Sequence, residues 1–465
     1  MKKLALFSIL ALTGCAVGPN YKRPEIAVPI THRGAQEQPA NPSASLADTK
    51  WDAVFADDTL NQLIRTALEK NFDARIAAER VQQARAQLGI TRANQFPFVD
   101  VQAQFTASRQ STLGSLRFVP PGTNLSTSFT QVGAALSWEI DLWGRLRRLT
   151  ESARAQYLAS EEGRHAVSVA LIGDVSNSYF QMLEFELERE ISQKTRDVAA
   201  DSLRLVQLRR EQGAASGLDV HQAEQLIYSS QAQIEAVERG IVQSENQLSF
   251  LLGSPPSAQP RGRKLDQIPV PPDVPAGLPS DLLARRPDIR AAEQNLISAN
   301  AEIGAAKALY FPQISLTAFA GGQSRALTEL FSNPARLASV GPGATIPIFR
   351  AGQIRSQVRL TEARKRELVV TYEQTIYNAL REVSDALIGY SRIRSQRTQQ
   401  EQLVRALDDS VRLSTLRYKG GLDSYLQVLD AQRNLFAGQL GLAQLTLAER
   451  LAVVQLYRAL GGGWQ

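Results

Sequence analysis

The sequence predicts an internally duplicated membrane protein of the α/β-barrel class, with four β-strands and long α-helices. Three observations support this: two long stretches lack proline, a set of motifs occurs twice, and short segments alternate polar and apolar residues. No proline lies between Pro121 and Pro255 or after Pro347. Both stretches are rich in Ala, Leu, Gln, Glu and Arg, which is typical of long helices.

The composition excludes several kinds of site. The chain has 465 residues, a net charge of +6, one cysteine and three histidines. One cysteine excludes an intramolecular disulfide and a thiolate zinc cluster, and three imidazoles are too few for a typical catalytic zinc site. Acidic and basic residues are interleaved, so we expect no nucleic acid partner. The HExxH, GxSxG, Walker A and GxGxxG patterns are absent from the sequence, and we predict no enzyme, no metal site and no cofactor.

The N-terminus resembles the signal of a bacterial lipoprotein. A basic start at residues 1–3 and an apolar run at residues 4–11 precede Leu12-Thr13-Gly14-Cys15. The resemblance implies that residues 1–14 are a signal peptide and that Cys15 carries a covalent lipid. The alternative is an ordinary secretory signal in which this cysteine is incidental.

The segment after this cysteine predicts a tether. Ala16, in place of aspartate, resembles a signal for sorting to the outer membrane. Residues 15–56 are rich in Pro, Ala, Asn and Gln. Such a composition favours an extended lipidated tether without a core of its own.

The chain repeats its own motifs, which indicates a tandem duplication. Asp73 and Phe96-Pro97 recur as Asp288 and Phe311-Pro312. Three glycines recur in the same order, Gly144, Gly213 and Gly253 as Gly352, Gly421 and Gly461. We therefore divide the chain into repeat one at 57–253, a Pro-rich equatorial linker at 254–287 and repeat two at 288–465.

Glycines mark the ends of the predicted helices in each repeat. The two longest helices are predicted at about 145–212 and 354–418, each on the order of 100 Å long. No globular core needs helices of that length. Shorter helices are predicted at 72–95, 216–253, 288–311 and 423–460.

A strand hairpin is predicted in each repeat, at about 98–140 and 313–349. Val99, Val101 and Phe105 are separated by polar residues with a period of two, and strands of about ten residues can cross a bilayer when tilted. A soluble β-meander is the alternative. Four strands cannot close a barrel, and open edges in lipid leave backbone groups unpaired, so the chain must assemble. The residues alone do not choose between a dimer and a trimer.

Four further motifs stand out in the sequence: Val17–Pro24, Trp138–Arg145, Leu278–Ile289 and Ala459–Trp464. Together they resemble those of TolC-type outer-membrane efflux proteins, in the lipoprotein branch that serves resistance-nodulation-division (RND) pumps. The resemblance implies a homotrimer whose twelve strands form one β-barrel in the outer membrane of a Gram-negative bacterium, continuous with a periplasmic α-helical barrel. It also implies a periplasmic adaptor (membrane fusion) protein, an inner-membrane RND transporter and outer-membrane lipid as partners.

The resemblance implies a gate at the periplasmic helix turns. Asp430 is expected to form a ring of carboxylates in the trimer, and Leu426 an apolar ring one helical turn away. The tightest form of the family carries a second carboxylate where this chain has Gln427, so the chain departs from it there. Without the resemblance, Asp430 would be a solvated acid and Leu426 a packing residue.

The same resemblance implies residues that hold the turns together. Tyr418 and Lys419 match positions that tie the second turn to its neighbours. Asp219 and Arg209 are the alternative partners. We expect a Tyr418→Phe or Asp430→Ala variant to conduct more than the wild type.

Two functions from different classes follow. The preferred one is the outer-membrane channel of a tripartite efflux pump, a passive exit duct for drugs or other small solutes. The alternative is a lipid-anchored structural or envelope-bridging helical protein without channel activity. Drug, metal-ion and protein export share this architecture, but Met1 and Met182 are the only methionines, which disfavours a soft-metal relay.

Overall fold

The computed structural model describes residues 16–34, 45–111, 124–269 and 277–462. The predicted signal peptide, Cys15 and linker residues 270–276 lie outside the described residues. The chain divides into two compact units. Unit one comprises residues up to 24, 82–159 and 293–371, and unit two comprises 25–81, 160–292 and 372–465.

Nine α-helices and four β-strands are present in the described ranges. In chain order they are α1 (Trp51–Val54), α2 (Asp58–Lys70), α3 (Phe72–Ala93), β1 (Phe98–Arg109), β2 (Ser126–Ile140), α4 (Arg145–Glu211), α5 (Gly217–Leu251), α6 (Leu282–Arg285), α7 (Pro287–Ala308), β3 (Gln313–Ser324), β4 (Arg336–Thr345), α8 (Gln353–Lys419) and α9 (Tyr425–Ala459). Short 3₁₀ turns lie at Leu46–Asp48, Leu265–Gln267, Pro279–Asp281, Leu327–Glu329 and Asn333–Ala335.

The duplication is visible in the lengths of the elements. The longest helices, α4 and α8, have 67 residues each, and α5 and α9 have 35 each. Helices α3 and α7 have 22 residues each, and β1 and β3 have 12. The ends of the two long helices lie within one residue of those that the glycine positions predicted.

Unit one contains one antiparallel sheet in the order β1-β2-β3-β4. Phe98 pairs with Ser137, Ile140 with Ile314, and Gln313 with Thr345. The sheet joins both hairpins, because β2 of repeat one pairs with β3 of repeat two. Among the described residues β1 and β4 each have one strand neighbour.

The returning strand of the second hairpin is shorter than predicted. It ends at Thr345, whereas the alternation of Ile346 and Ile348 had extended the predicted hairpin to 349. Pro347 has no backbone N–H to donate to a ladder, which is the physical reason for an end here. Ile348, 90% exposed, lies beyond the strand.

The segment predicted as an extended tether, 15–56, is partly folded. Helix α1 lies within it, and Val54 and Phe55 are buried in unit two. The Phe55 ring packs edge-on against Phe180 and Tyr457, with centroids 6.4 and 6.0 Å away. The prediction of a coreless tether was wrong here because a few large apolar side chains outweigh the polar composition around them.

Helix α2 was not anticipated, although its sequence carries a helical pattern. Leu60, Ile64 and Ala67 follow a spacing of four and three residues, and all three are fully buried. The Asp57 carboxylate accepts a hydrogen bond from the Leu60 N–H at 2.9 Å and caps the first turn.

The Pro-rich linker at 254–287 also contributes to a core. Leu265 and Ile268 are buried, and the buried Arg450 guanidinium of α9 donates to both of their carbonyl groups, at 3.4 and 2.6 Å. Its last residues form α6. Most of the other residues between 254 and 269 are exposed, so these buried side chains attach a largely solvated segment to the core.

Within the described ranges, none of the helices has the length and hydropathy of a membrane-spanning helix. The same ranges hold no cluster of three or more His, Cys, Asp or Glu side chains that could hold a metal ion.

Candidate functional site

The first helix turn, between α4 and α5, is held by backbone and capping contacts. Gly213 has a φ of 74°, a left-handed conformation that glycine adopts without strain. The Ala214 N–H donates to the Arg209 carbonyl at 2.8 Å, which closes the end of α4. Helix α5 then starts with a capping box, in which the Asp219 N–H donates to Ser216 Oγ at 3.2 Å and the Ser216 N–H donates to Asp219 Oδ2 at 2.7 Å.

The second turn, between α8 and α9, repeats this backbone geometry with a different side-chain contact. Gly421 also has a φ of 74°, and the Leu422 N–H donates to the Arg417 carbonyl at 2.9 Å. The Arg417 guanidinium bridges the turn to Asp423 with two hydrogen bonds, at 2.6 and 3.1 Å. These bonds hold the pKa of the half-buried Asp423 carboxyl below its ordinary value.

Arg209 of α4 joins the two turns. Its guanidinium donates to the backbone carbonyls of Tyr418 and Lys419, at 3.0 and 3.2 Å. The same group lies over the Tyr418 ring, with its carbon 4.4 Å from the ring centroid. A cation at the carboxyl end of α8 satisfies free carbonyl groups and gains a cation–π contact.

The tip of unit two has its own apolar core around two tyrosines. The rings of Tyr418 and Tyr425 meet edge-on, with centroids 5.5 Å apart. Burial raises the pKa of Tyr425 to about 12, and the neighbouring Tyr418 adds to this. Both rings belong to one buried cluster, together with Ala199, Val206, Val220, Ala223, Leu226, Val428 and Leu429.

Arg209 and Asp219 are the two partners expected for Tyr418 and Lys419. Within this chain, Arg209 donates to the backbone carbonyls of both residues, whereas Asp219 hydrogen-bonds to Ser216 in its own turn. The Tyr418 hydroxyl is buried and has no hydrogen-bond partner among the described residues. Its ring, and not its hydroxyl, therefore makes the contact with Arg209, and this changes the expectation for a Tyr418→Phe variant.

The two residues expected to line a pore lie on one exposed face at the start of α9. Leu426 is 50% exposed, and Asp430 is exposed one helical turn further on. The Asn434 amide donates to Asp430 Oδ2 at 3.2 Å. Gln427 is exposed beside them.

Sequence reasoning missed two contacts at this site. The Arg417–Asp423 pair could have been found from opposite charges on either side of the Gly420-Gly421 turn. The packing of Tyr425 on Tyr418 had no local signal, because the two rings come from different helices.

The chain matches the outer membrane efflux protein family over residues 63–254 and 278–462, which span both repeats. The chain belongs to this family. The family consists of efflux channels and not of enzymes.

Three relatives illustrate the likeness. The chain is 40% identical to the solvent efflux pump outer membrane protein SrpC of Pseudomonas putida, over 100% of this chain and 98% of SrpC. It is 35% identical to the cation efflux system protein CusC of Escherichia coli, over 100% of this chain and 99% of CusC. The open-state crystal structure of the Neisseria gonorrhoeae MtrE outer membrane channel superposes with a TM-score of 0.86 at 32% identity, covering 97% of this chain and 99% of MtrE.

These likenesses confirm three predictions made from the sequence. The fold class, long helices with a small sheet, is that of the solved efflux channels. The chain is an outer-membrane component of an efflux pump, and its place is the outer membrane of a Gram-negative bacterium.

Proposed function

We propose that this chain is the passive trans-periplasmic exit duct of a tripartite pump, closed at rest by its helix turns. The main observation in support of a closed resting state is the contact of Arg209 with the end of α8. This contact joins two turns that would have to separate for a pore to widen. The contact uses two hydrogen bonds and one ring face, which an adaptor could displace without breaking a hydrophobic core.

A homotrimer is the proposed assembly. Strands β1 and β4 each have one neighbour among the described residues, and an edge left unpaired in lipid costs several kcal/mol per backbone group. Three copies of a four-stranded sheet supply twelve strands, enough for a barrel with a wet lumen. The part of α8 in unit two supports assembly as well, since Tyr377, Ile388, Leu403 and Leu413 are exposed apolar side chains at helical spacing.

The gate residues follow from this assembly. In a trimer, Asp430 would present three carboxylates to the lumen and Leu426 three apolar side chains one turn away. A ring of carboxylates favours cations over anions. Tyr418 and Lys419 would hold this turn through Arg209, and Asp219 would fix the start of the facing helix.

Lipid attachment at Cys15 belongs to the same proposal. The segment that follows it is held in unit one, because the buried Arg148 donates to the carbonyls of Val17 and Gly18 and to Asn20 Oδ1, at 3.3, 3.4 and 2.9 Å. A held segment would keep the lipid at a fixed place on the chain. A periplasmic adaptor and an inner-membrane RND transporter are the proposed protein partners.

The proposed cargo is small amphiphilic organic molecules. SrpC is named for solvent efflux and CusC for cation efflux, so the architecture serves both. Met182 is fully buried, so its thioether is not available to a metal ion in a lumen.

Three experiments test this proposal. Native mass spectrometry of the purified protein should give three chains per particle, each with the mass of a diacylglyceryl group that a Cys15→Ser variant lacks. Cross-linking in cells should retain an adaptor and a proton-driven transporter. A monomeric particle that gives no channel steps in planar bilayers would instead favour the structural, envelope-bridging alternative.

A further inference from the structure

Two carboxyl groups are buried side by side in unit two, outside the candidate gate. Glu184 and Glu188 lie one turn apart on α4 and are 3% and 4% exposed. Side chains four residues apart share one face of a helix, which places the two carboxyl groups next to each other. Buried carboxylates are normally paired with a cation, so the environment of this pair requires an explanation.

The groups that face the pair are neutral amides from three helices. Gln181 of α4 donates to Glu184 Oε2 at 2.9 Å. Gln233 of α5 and Gln444 of α9 donate to the two oxygens of Glu188, at 3.1 and 3.2 Å. Charged side chains close to these residues in sequence pair elsewhere: Arg189 and Arg261 with Glu186, Glu245 with Arg261, Glu190 with Lys264, and Glu449 with Arg397 and Arg450.

The side chain next to Glu184 in the chain packs closely against α5. A Cβ added to Gly240 of α5 would lie 2.8 Å from the ring of Phe185, which is adjacent to Glu184 in the chain. Helices α4 and α5 are therefore in close contact at this level. Two negative charges here would repel each other in a medium of low dielectric constant.

We propose that Glu184 and Glu188 hold one proton between them and act as a pH-sensitive contact that packs α4 against α5 and α9. With the proton bound, Glu184 donates to the Glu188 carboxylate, and Glu188 still accepts both amides. When the proton leaves to water, two facing carboxylates remain and the packing of the three helices loosens. This device does not depend on the cargo or on the gate.

The direction of the pH dependence follows from the position of the pair. Burial raises the pKa of Glu184 to about 8, and Glu188 adds to this through its hydrogen bond and its charge. The unfolded chain has the ordinary value of 4.5, so the folded chain holds more protons between these two values. The stabilising contribution is complete below 4.5 and is lost as the pH rises towards 8. Within this window the unfolding equilibrium constant rises about tenfold per pH unit.

Infrared spectroscopy of the full-length protein in detergent tests for the proton. The wild type should show the band of a protonated carboxylic acid at pH 6 that disappears by pH 10. The band should be missing in Glu184→Gln, and in Glu188→Gln it should titrate at lower pH because the second charge is gone. Glu238→Gln, which removes an exposed carboxyl of α5, is the matched control and should leave the band unchanged.

Hydrogen exchange of the amides around residues 181–192 tests the consequence. The ratio of wild-type to Glu184→Gln opening should rise about tenfold per pH unit at most between pH 6 and 8, since the variant has no proton to lose. Equal pH profiles for these two proteins, or a band that survives in Glu184→Gln, would overturn the proposal.

Discussion

Arg209 illustrates how one side chain can join two elements. Its planar fork matches two successive carbonyl groups at the end of α8, and its flat face covers the Tyr418 ring. A lysine could occupy the same place but would present a point charge, without the fork or the flat face.

Replacement of Arg209 should loosen the tip. In Arg209→Ala, we expect a loss of about 1–2 kcal/mol of local stability, which corresponds to roughly tenfold faster hydrogen exchange at residues 418–425. Arg209→Lys should fall between this variant and the wild type. Exchange that is unchanged in Arg209→Ala would show that the guanidinium does not hold the second turn.

The exposed acid of α9 should determine ion preference. In Asp430→Asn, the cation-to-anion permeability ratio measured in planar bilayers should fall, because the proposed carboxylate ring loses its charge. Gln427→Glu adds a second acid on the neighbouring exposed position and should raise the ratio. The idea fails if neither variant changes the ratio, or if both change it in the same direction.

The sequence could identify candidate gate residues but not the groups that they contact. Tyr418 and Asp430 stand out through their place in family motifs. Whether Arg209 or Asp219 meets Tyr418 depends on packing between helices that are distant in the chain, and no local pattern encodes it. The sequence did not indicate that Glu184 and Glu188 are buried, because acidic residues on a long helix usually face solvent.

The two turns at the tip depend on backbone conformation. Gly421 has a left-handed φ, whereas its neighbour Gly420 does not. The same substitution at Gly420 and at Gly421 therefore tests whether the left-handed conformation stabilises this turn.

An alanine at each position should therefore have a different effect. Gly421→Ala should destabilise the turn by about 1 kcal/mol, because a Cβ is strained at this φ even where space is open. Gly420→Ala should be nearly neutral. The comparison is made by thermal unfolding of the two purified variants, and equal midpoints would contradict a role for the left-handed glycine.

Long elements were predictable and short ones were not. Absent prolines and recurring glycines located α4 and α8 to within a residue, since a helix of 67 residues leaves a long signal. Helix α1, with 4 residues, lies in a segment whose average composition is polar, so composition concealed it. The end of β4 was predicted too late, because the alternation of apolar residues continues past Pro347.

The whole molecule shows why an ordinary composition did not exclude a membrane protein. The strands use alternate residues for each face of the sheet, so their mean hydropathy stays moderate. The repeat made the four-stranded sheet predictable, because each copy supplies one hairpin. The oligomeric state was not predictable from the residues, because one sequence does not show how many copies pair their edge strands to close a barrel.

Single-channel conductance in planar bilayers tests the central claim most directly, that the chain is a duct closed by its helix turns. The wild type should give small steps, and Arg209→Ala should give larger or longer ones, because the contact between the turns is lost. Tyr418→Phe is the matched control and should behave as the wild type, since it keeps the ring and removes only a hydroxyl without a partner among the described residues. The absence of steps from all three proteins, or equal conductance of Arg209→Ala and the wild type, would contradict this account.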